Sequence, residues 1–212
     1  MSIKVAVIIF HKKIYNYPPN WITQCLNSIR NQTHKKFTVF EIDYGGENQQ
    51  AYEGSFFTSK EFPTHAHAHN FLLDKVFKMK YDCAFNVNVD DFYALNRFEK
   101  MLPAIEKGYD LVSSNFTRVN QIGGVIKTFR FSNLNILEEA KKEHNIICHP
   151  SVVYSRKYWT KCDKLVPEEI PFDDFKLWKR SYAKGFKFFI VPEFTTYHRV
   201  HQDNVSRKNK AV

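Results

Sequence analysis

Two pairs of adjacent aspartates are the residues of this sequence whose type and spacing most suggest chemistry. Asp90-Asp91 follows a strand-like run at residues 83–89, and Asp173-Asp174 opens an amphipathic helical pattern. Adjacent carboxylates repel each other, so each pair must be solvated or share a cation. Asp90-Asp91 is therefore either a solvated turn or a site for Mg2+ or Mn2+, which take oxygen ligands. Asp173-Asp174 either caps its helix, where the dipole favours negative charge, or provides a carboxylate that accepts a proton.

Histidines form a second group of candidate ligand-binding residues. His65, His67 and His69 alternate in "THAHAHN" and would share one face only in an extended segment. A helix that begins there separates them, so polar contacts with a ligand are favoured over a histidine metal site. His149 is either a ligand contact or a core histidine, and Trp178 is more typical of a core than of a ligand platform.

The first half of the chain alternates between strand-like and helix-like segments. Apolar, β-branched runs predict strands at residues 3–10, 37–43 and 83–89. Amphipathic spacing predicts helices from about Trp21 and at residues 66–79 and 96–106. This order predicts an α/β fold with an open, mostly parallel sheet and helices on both faces. Ligands bind beyond the carboxyl ends of such strands, an edge that would carry His11, Asp43 and Asp90-Asp91.

The second half is less regular but continues the same domain. Strands are predicted at residues 110–116, 123–131, 145–154, 186–192 and 195–200, and a helix at residues 172–183. No internal repeat or linker interrupts the pattern. We expect a single domain over residues 1–206, with halves at about 1–115 and 116–206, followed by a basic tail at 207–212.

Composition narrows the classes of protein that the chain can belong to. Its 212 residues are 43% hydrophobic and 16% aromatic, as in a globular domain with a sizeable core. The net charge of +9 favours anionic partners, namely nucleotides, nucleic acid, acidic glycans or a membrane surface. The sequence has no apolar run long enough to span a membrane and no signal-peptide pattern, so a soluble, cytoplasmic protein is expected. The four cysteines are widely spaced, which predicts free thiols.

Phosphate-binding loops are absent from the sequence. Neither GxGxxG nor a Walker P-loop occurs, and the Gly pairs in "YGGEN" and "QIGGV" are typical of turns. If a nucleotide binds, its diphosphate must be neutralised in another way, and a metal held by carboxylates would do this.

Seven segments, in this order, resemble the family-two glycosyltransferases of the GT-A fold over nearly the whole chain. They are "VAVIIF", "CLNSIRNQTHKKFTVFEIDYGG", "AHNFLLDK", "NVNVDDFYALNRFEKML", "HPSVVYSRKYW", "DDFKLWKRSYAKGFKFFIVPE" and "YHRVHQDNVS". The resemblance implies a hexosyltransferase-type enzyme that moves a sugar, with inversion, from a nucleoside diphosphate, typically UDP, to a hydroxyl of a glycan or glycoprotein. It further implies Mn2+ or Mg2+ as cofactor, a nucleotide-sugar-binding first half and an acceptor-side second half. Nucleic acid is not an expected partner.

The resemblance also assigns roles to individual residues. The donor nucleotide would contact Phe10, His11, Asp43, His69, Asn70, Asn88, Val89 and Asp90. The metal would be held by Asp90, Asp91 and His201. Asp174 would be the catalytic base, with Asp173 as the helix cap. The acceptor or sugar would contact His149, Asp173, Trp178 and His198.

Three positions depart from the pattern of that family. Asn88 stands in place of the first acid of Asp-x-Asp, His69 in place of an arginine, and Tyr44 in place of a second acid after Asp43. A sugar-phosphate nucleotidyltransferase is an alternative, but it expects a Gly-rich opening loop and "FHKKIYNYPP" has no Gly. A non-catalytic nucleic-acid-binding or sugar-binding module is another. The compact chain fits either a soluble enzyme of the kind found in large DNA viruses, acting in the host cytoplasm, or one domain of a longer protein.

Overall fold

The computed structural model of the chain describes residues 3–133 and 144–204, so the predicted tail at 207–212 lies outside the described residues. Its strands are β1 (Val5–His11), β2 (Phe37–Asp43), β3 (Phe56–Ser59), β4 (Cys83–Asn88), β5 (Phe92–Tyr93), β6 (Leu111–Val119), β7 (Val125–Phe129), β8 (Val153–Ser155) and β9 (Phe188–Arg199). Its helices are α1 (Pro19–Arg30), α2 (His65–Lys78), α3 (Arg97–Glu106), α4 (Arg156–Lys161) and α5 (Asp173–Ala183). Short 3-10 helices occur at Ile14–Asn16, His149–Ser151 and Pro167–Glu169.

One mixed sheet organises these elements. Its strand order is β3-β2-β1-β4-β8-β6-β9-β5, and β7 pairs with the free side of β6 as a hairpin. Strands β1 to β4 are parallel, whereas β8 runs antiparallel between β4 and β6. In this register Phe10 pairs with both Ile42 and Asn88, so β1, β2 and β4 end at the same edge. The predicted α/β class with an open, mostly parallel sheet is confirmed.

The core lies on both faces of β1. Alternate residues of a strand point to opposite faces, and every residue of β1 is buried. On one face Ile8 packs in a cluster with Leu72 of α2 and Leu177 of α5. On the other face Ile9 packs in a cluster with Ile29 of α1 and Met101 of α3. The four cysteines are free, as predicted.

Two predictions about the second half were wrong. The strand expected at residues 145–154 is a 3-10 helix followed by the three-residue β8, because Pro150 lacks the N–H that a central strand needs. The strands expected at 186–192 and 195–200 are one strand, β9. Its register against β6 shifts around Asn115, and this irregularity accommodates Pro192.

Among the described residues, no helix combines the length and the apolarity that a membrane span requires.

Arg97 at the start of α3 holds the end of β4 against the segment that precedes β8. Its side chain is fully buried and donates to the carbonyls of Asn86 and Pro150 at 3.0 Å each. The guanidinium also lies 4.3 Å from the centre of the Tyr93 ring. Burial lowers the pKa of Arg97 to about 10, so it stays charged at neutral pH. Carbonyl dipoles and an aromatic face therefore take the place of a counter-ion.

We expect Arg97→Met to lower the free energy of unfolding by roughly 3 kcal/mol, because two buried carbonyls lose their donors. Urea denaturation measures this difference. The matched control is Arg156→Met, which removes an ion pair with Asp82 that is more than one-third exposed and should change stability by about 1 kcal/mol or less. Equal losses in the two variants would contradict the role of Arg97.

Candidate active site

A large cavity opens beyond the carboxyl ends of β1 and β4. Its volume is about 1150 Å3, large enough for a ligand bigger than a typical drug-sized molecule. The predicted site residues that line it are Phe10, His69, Asn88, Val89, Asp90, His149, Asp173, Asp174, His198 and His201. Asp90 and Asp174, which are far apart in sequence, therefore share one cavity.

The Asp90-Asp91 pair is divided between the cavity and the protein interior. Asp90 lines the cavity, and its Oδ2 lies 3.0 Å from Nε2 of His201. Asp91 is fully buried; its Oδ1 accepts the backbone N–H of Arg199 at 2.7 Å and lies 3.1 Å from Nδ1 of His198. Each carboxylate thus has its own partner, which relieves the repulsion between them.

Burial and charge act in opposite directions on the pair formed by Asp91 and His198. Burial raises the pKa of Asp91, although the neighbouring His198 counteracts this. Burial alone would lower the pKa of His198, but the Asp91 carboxylate outweighs it and the pKa is raised. The contact is therefore an ion pair when His198 is protonated, and it fixes the end of β9 to the turn after β4.

Arg199 is a site residue that the sequence analysis did not identify. Its Nε donates to the carbonyl of Asp90 at 2.9 Å, and its guanidinium lies 4.9 Å from the centre of the Trp21 ring. A second nitrogen donates to Oε1 of Gln24 at 2.6 Å. Arg199 thereby fixes the backbone of Asp90. The signal in the sequence was an arginine between two histidines in "HRVH".

Asp90 and His201 are the predicted metal ligands that face the cavity. Among the described residues, no group of three or more His, Cys, Asp or Glu side chains is placed to hold a metal ion. Asp91 points into the protein, so it positions the turn and does not offer oxygens to the cavity. One carboxylate and one imidazole nevertheless fit Mn2+ or Mg2+ where a phosphate-bearing ligand and water supply the remaining oxygens.

An aromatic wall lies beside Asp90. The ring of Phe10 stacks on His69, with centroids 4.0 Å apart and planes 9° apart, and His149 follows 4.9 Å from His69. The hydroxyl of Tyr154 lies 2.7 Å from Nε2 of His149. Burial lowers the pKa of His149 to about 4 and also lowers that of His69. Both rings are therefore neutral at neutral pH, and the wall suits a flat, uncharged group.

Two predicted donor contacts, His11 and Asp43, lie outside the cavity wall. They sit at the expected sheet edge, but Nε2 of His11 lies 2.8 Å from Oε1 of the buried Glu41. Asp43 accepts the backbone N–H groups of Gly45 and Glu47, both at 2.9 Å. A fully buried carboxylate needs such donors, so these groups hold the loop after β2.

Asn70 and Trp178 are likewise placed away from the cavity wall. The amide of Asn70 bonds the backbone of Leu165 in both directions, at 2.8 and 3.1 Å. Trp178 is buried in the core, and its ring meets His149 edge-on at 5.9 Å. Trp178 therefore supports the aromatic wall from behind.

Asp173 and Asp174 also line the cavity, and they differ in charge. The prediction that Asp173 caps α5 was wrong, because Phe172 occupies the N-cap and Oδ2 of Asp173 lies 3.1 Å from Nε2 of His65. Burial works against the ionisation of Asp173, but His65 outweighs it and the pKa of Asp173 is lowered. Burial, together with the Asp173 charge, raises the pKa of Asp174 to about 7.

Cations complete the lining of the cavity. Lys12 and Lys13 follow β1, and Arg118 projects from β6. The cavity thus joins a neutral aromatic wall, the carboxylates of Asp90, Asp173 and Asp174, and several cations. Such a set can bind an anionic ligand, with or without a divalent cation, and can accept a proton at Asp174.

Comparisons with known proteins agree with this fold. No protein-family model matches the chain. The chain is similar to an uncharacterized glycosyltransferase of Methanocaldococcus jannaschii, MJ1057, with 26% identity over 206 residues that cover 90% of this chain and 70% of that protein. Its fold is that of S. aureus TarS, for which the crystal structure of residues 1–349 with UDP-GlcNAc gives a TM-score of 0.72, 15% identity and 99% coverage of this chain. The complex of the same fragment with UDP gives a TM-score of 0.68, 16% identity and 94% coverage.

The chain is shorter than the TarS chains that it matches. It covers 62% of the fragment bound to UDP-GlcNAc and 61% of the fragment bound to UDP. It covers 37% of a longer TarS chain, with a TM-score of 0.69 and 15% identity.

The raised pKa of Asp174 makes stability depend on pH. The unfolded carboxyl has a pKa of 3.8, and the folded one about 7, so the folded state holds an extra proton between these values. This contribution to stability is complete below pH 3.8 and is lost as pH rises through about 7. Asp174→Asn should therefore be more stable than the wild type at pH 8, by at most about 4 kcal/mol, and the difference should vanish near pH 4.

Urea midpoints of the two proteins across this pH range measure the difference. Glu53→Gln, at an exposed position, is the control and should follow the wild type at every pH. A constant difference between Asp174→Asn and the wild type would show that Asp174 titrates normally.

Proposed function

We propose that the protein is a metal-dependent, inverting glycosyltransferase of the family-two, hexosyltransferase type. It moves a sugar from a nucleoside diphosphate, UDP in the simplest case, to a hydroxyl of a glycan or glycoprotein. The observation that carries the proposal is the shared cavity of Asp90, His201 and Asp174 at the carboxyl ends of parallel strands. The similarity to the glycosyltransferase MJ1057 and the fold shared with TarS, which binds UDP and UDP-GlcNAc, support it.

The donor is assigned to the end of the cavity that β1 and β4 form. The neutral wall of Phe10 and His69 offers a surface for the base, and Lys12 and Lys13 offer positive charge to the diphosphate. Asp90 and His201 would hold Mn2+ or Mg2+. When bound, the cation supplies Lewis-acid stabilisation of the diphosphate leaving group.

The acceptor is assigned to the other end of the cavity, beside Asp174. The acceptor oxygen attacks the anomeric carbon from the face opposite the diphosphate; a new C–O bond forms while the bond to the diphosphate oxygen breaks. The proton of the acceptor hydroxyl passes to the Asp174 carboxylate. A pKa of about 7 suits this role, because a base works best when its pKa is near the working pH.

Donor binding should depend on Asp90 and His201 through the cation. We expect UDP to raise the melting temperature in the presence of Mn2+, and Asp90→Ala or His201→Ala to weaken the Mn2+-dependent part of binding by about 10–100-fold. Calorimetric titration with and without Mn2+ measures the effect, and Glu53→Ala is the surface control. If UDP-sugars give no shift while oligonucleotides do, the protein is a nucleic-acid-binding module.

Transfer should depend on Asp174 without a change in donor binding. We expect Asp174→Asn to keep the donor affinity within about threefold and to lower the turnover number by roughly 10²–10⁴, the usual contribution of a general base. Transfer from UDP-sugars to a panel of glycan acceptors measures it. Asp163→Asn, which changes a surface carboxylate paired with Lys184, is the control. Full transfer by Asp174→Asn would remove Asp174 from the role of base.

A further inference from the structure

The hairpin formed by β6 and β7 ends in an exposed aliphatic tip. Ile122 in the turn is 90% exposed, and Val125 and Ile126 at the start of β7 are 67% and 56% exposed. These are three large hydrophobic side chains within five residues, on a ribbon that projects from the sheet. Exposure of so much apolar surface in one place is typical of an interaction site.

Positively charged residues follow the hairpin from this tip toward its base. Residues 111–133 contain Arg118, Lys127 and Arg130 and no Asp or Glu. Arg118 and Lys127 are direct cross-strand neighbours, and both lie over the ring of Phe129, at 4.7 and 5.2 Å. Like charges placed opposite each other destabilise a strand pair. An anion bound between them would remove this repulsion.

The hairpin is fixed to the candidate active site. The carbonyl of Gln121 accepts from Nε1 of Trp21 at 2.8 Å and from Arg199 at 2.7 Å. Arg199 is the residue that also bonds the carbonyl of Asp90. Arg118 and Gln121 line the cavity, so the hairpin forms part of its rim.

We propose that the β6–β7 hairpin is a membrane-surface anchor, which places Ile122, Val125 and Ile126 in the headgroup region of an anionic bilayer. Aliphatic side chains enter the boundary between headgroups and acyl chains, while nearby cations contact the lipid phosphates. The net charge of +9 complements such a surface. Nucleic acid offers phosphates but no environment for an aliphatic tip that is exposed on both faces of its ribbon.

The proposal does not depend on the enzymatic one. If both hold, the rim that carries Arg118 faces the bilayer, and the cavity opens toward hydroxyl acceptors carried on that membrane. Lipid binding and sugar transfer are measured separately, so either can fail alone.

Flotation of the full chain with vesicles tests the anchor. We expect binding to phosphatidylcholine vesicles that contain phosphatidylglycerol, little binding to phosphatidylcholine alone, and release by high salt. The triple change Ile122→Ser, Val125→Ser and Ile126→Ser should weaken binding at least about tenfold. Leu95→Ser with Met79→Ser alters two exposed apolar residues elsewhere and should leave binding unchanged.

The cations provide a second arm of the test. Lys127→Gln with Arg130→Gln should weaken vesicle binding about 30-fold, at the usual contribution per cation near an anionic surface. Lys35→Gln with Lys36→Gln removes the same charge just before β2, at the opposite edge of the sheet, and should have a smaller effect.

Three results would overturn the proposal. The first is the absence of binding to anionic vesicles, and the second is binding that the hairpin variants leave intact. The third is self-association in light scattering that the triple serine variant abolishes, which would assign the tip to a second copy of the chain. Urea denaturation of the variants shows that they are folded, whether or not the protein binds a nucleotide sugar.

Discussion

The architecture of the cavity depends on how the end of β9 meets the turn after β4. Adjacent carboxylates at Asp90 and Asp91 are tolerated because β9 brings His201 to one, and His198 with the Arg199 amide to the other. Because β5 pairs with β9, these groups meet at the same edge of the sheet, although they lie more than 100 residues apart in sequence. Without this contact, repulsion between the two carboxylates would act against the turn that directs Asp90 into the cavity.

The same physical solution recurs at the second acidic pair. His65 stabilises the charge on Asp173 and leaves Asp174 to face the cavity with a pKa near neutrality. In the first pair each carboxylate contacts its own histidine, whereas in the second pair the histidine contacts Asp173. The resulting asymmetry lets two chemically identical neighbours differ in protonation, so one cavity can combine a charged and a titratable acid.

The sequence was sufficient to predict the sheet and the edge where the cavity lies, but not the direction in which every side chain points. Continuous apolar runs identify buried parallel strands, and strand ends identify an edge, which is why Asp90 was expected there. Asp174 was expected to join it only through the resemblance to a known family. The same rule placed His11 and Asp43 at that edge without showing that loop amides and Glu41 engage them. Arg199 was missed because its partners, from Gln24 to Asp90 and Gln121, are brought together by the fold alone.

Two buried carboxylates hold the loop between β2 and β3 in a defined conformation. Asp43 binds the amide of Gly45, and Glu41 binds those of Ala51 and Tyr52. These N–H groups are enclosed much as strand amides are, although most of the loop has neither helical nor extended geometry. The amides of this loop should therefore exchange their hydrogens as slowly as those of the sheet. The loop can open only if the buried acids lose their hydrogen-bond donors at the same time.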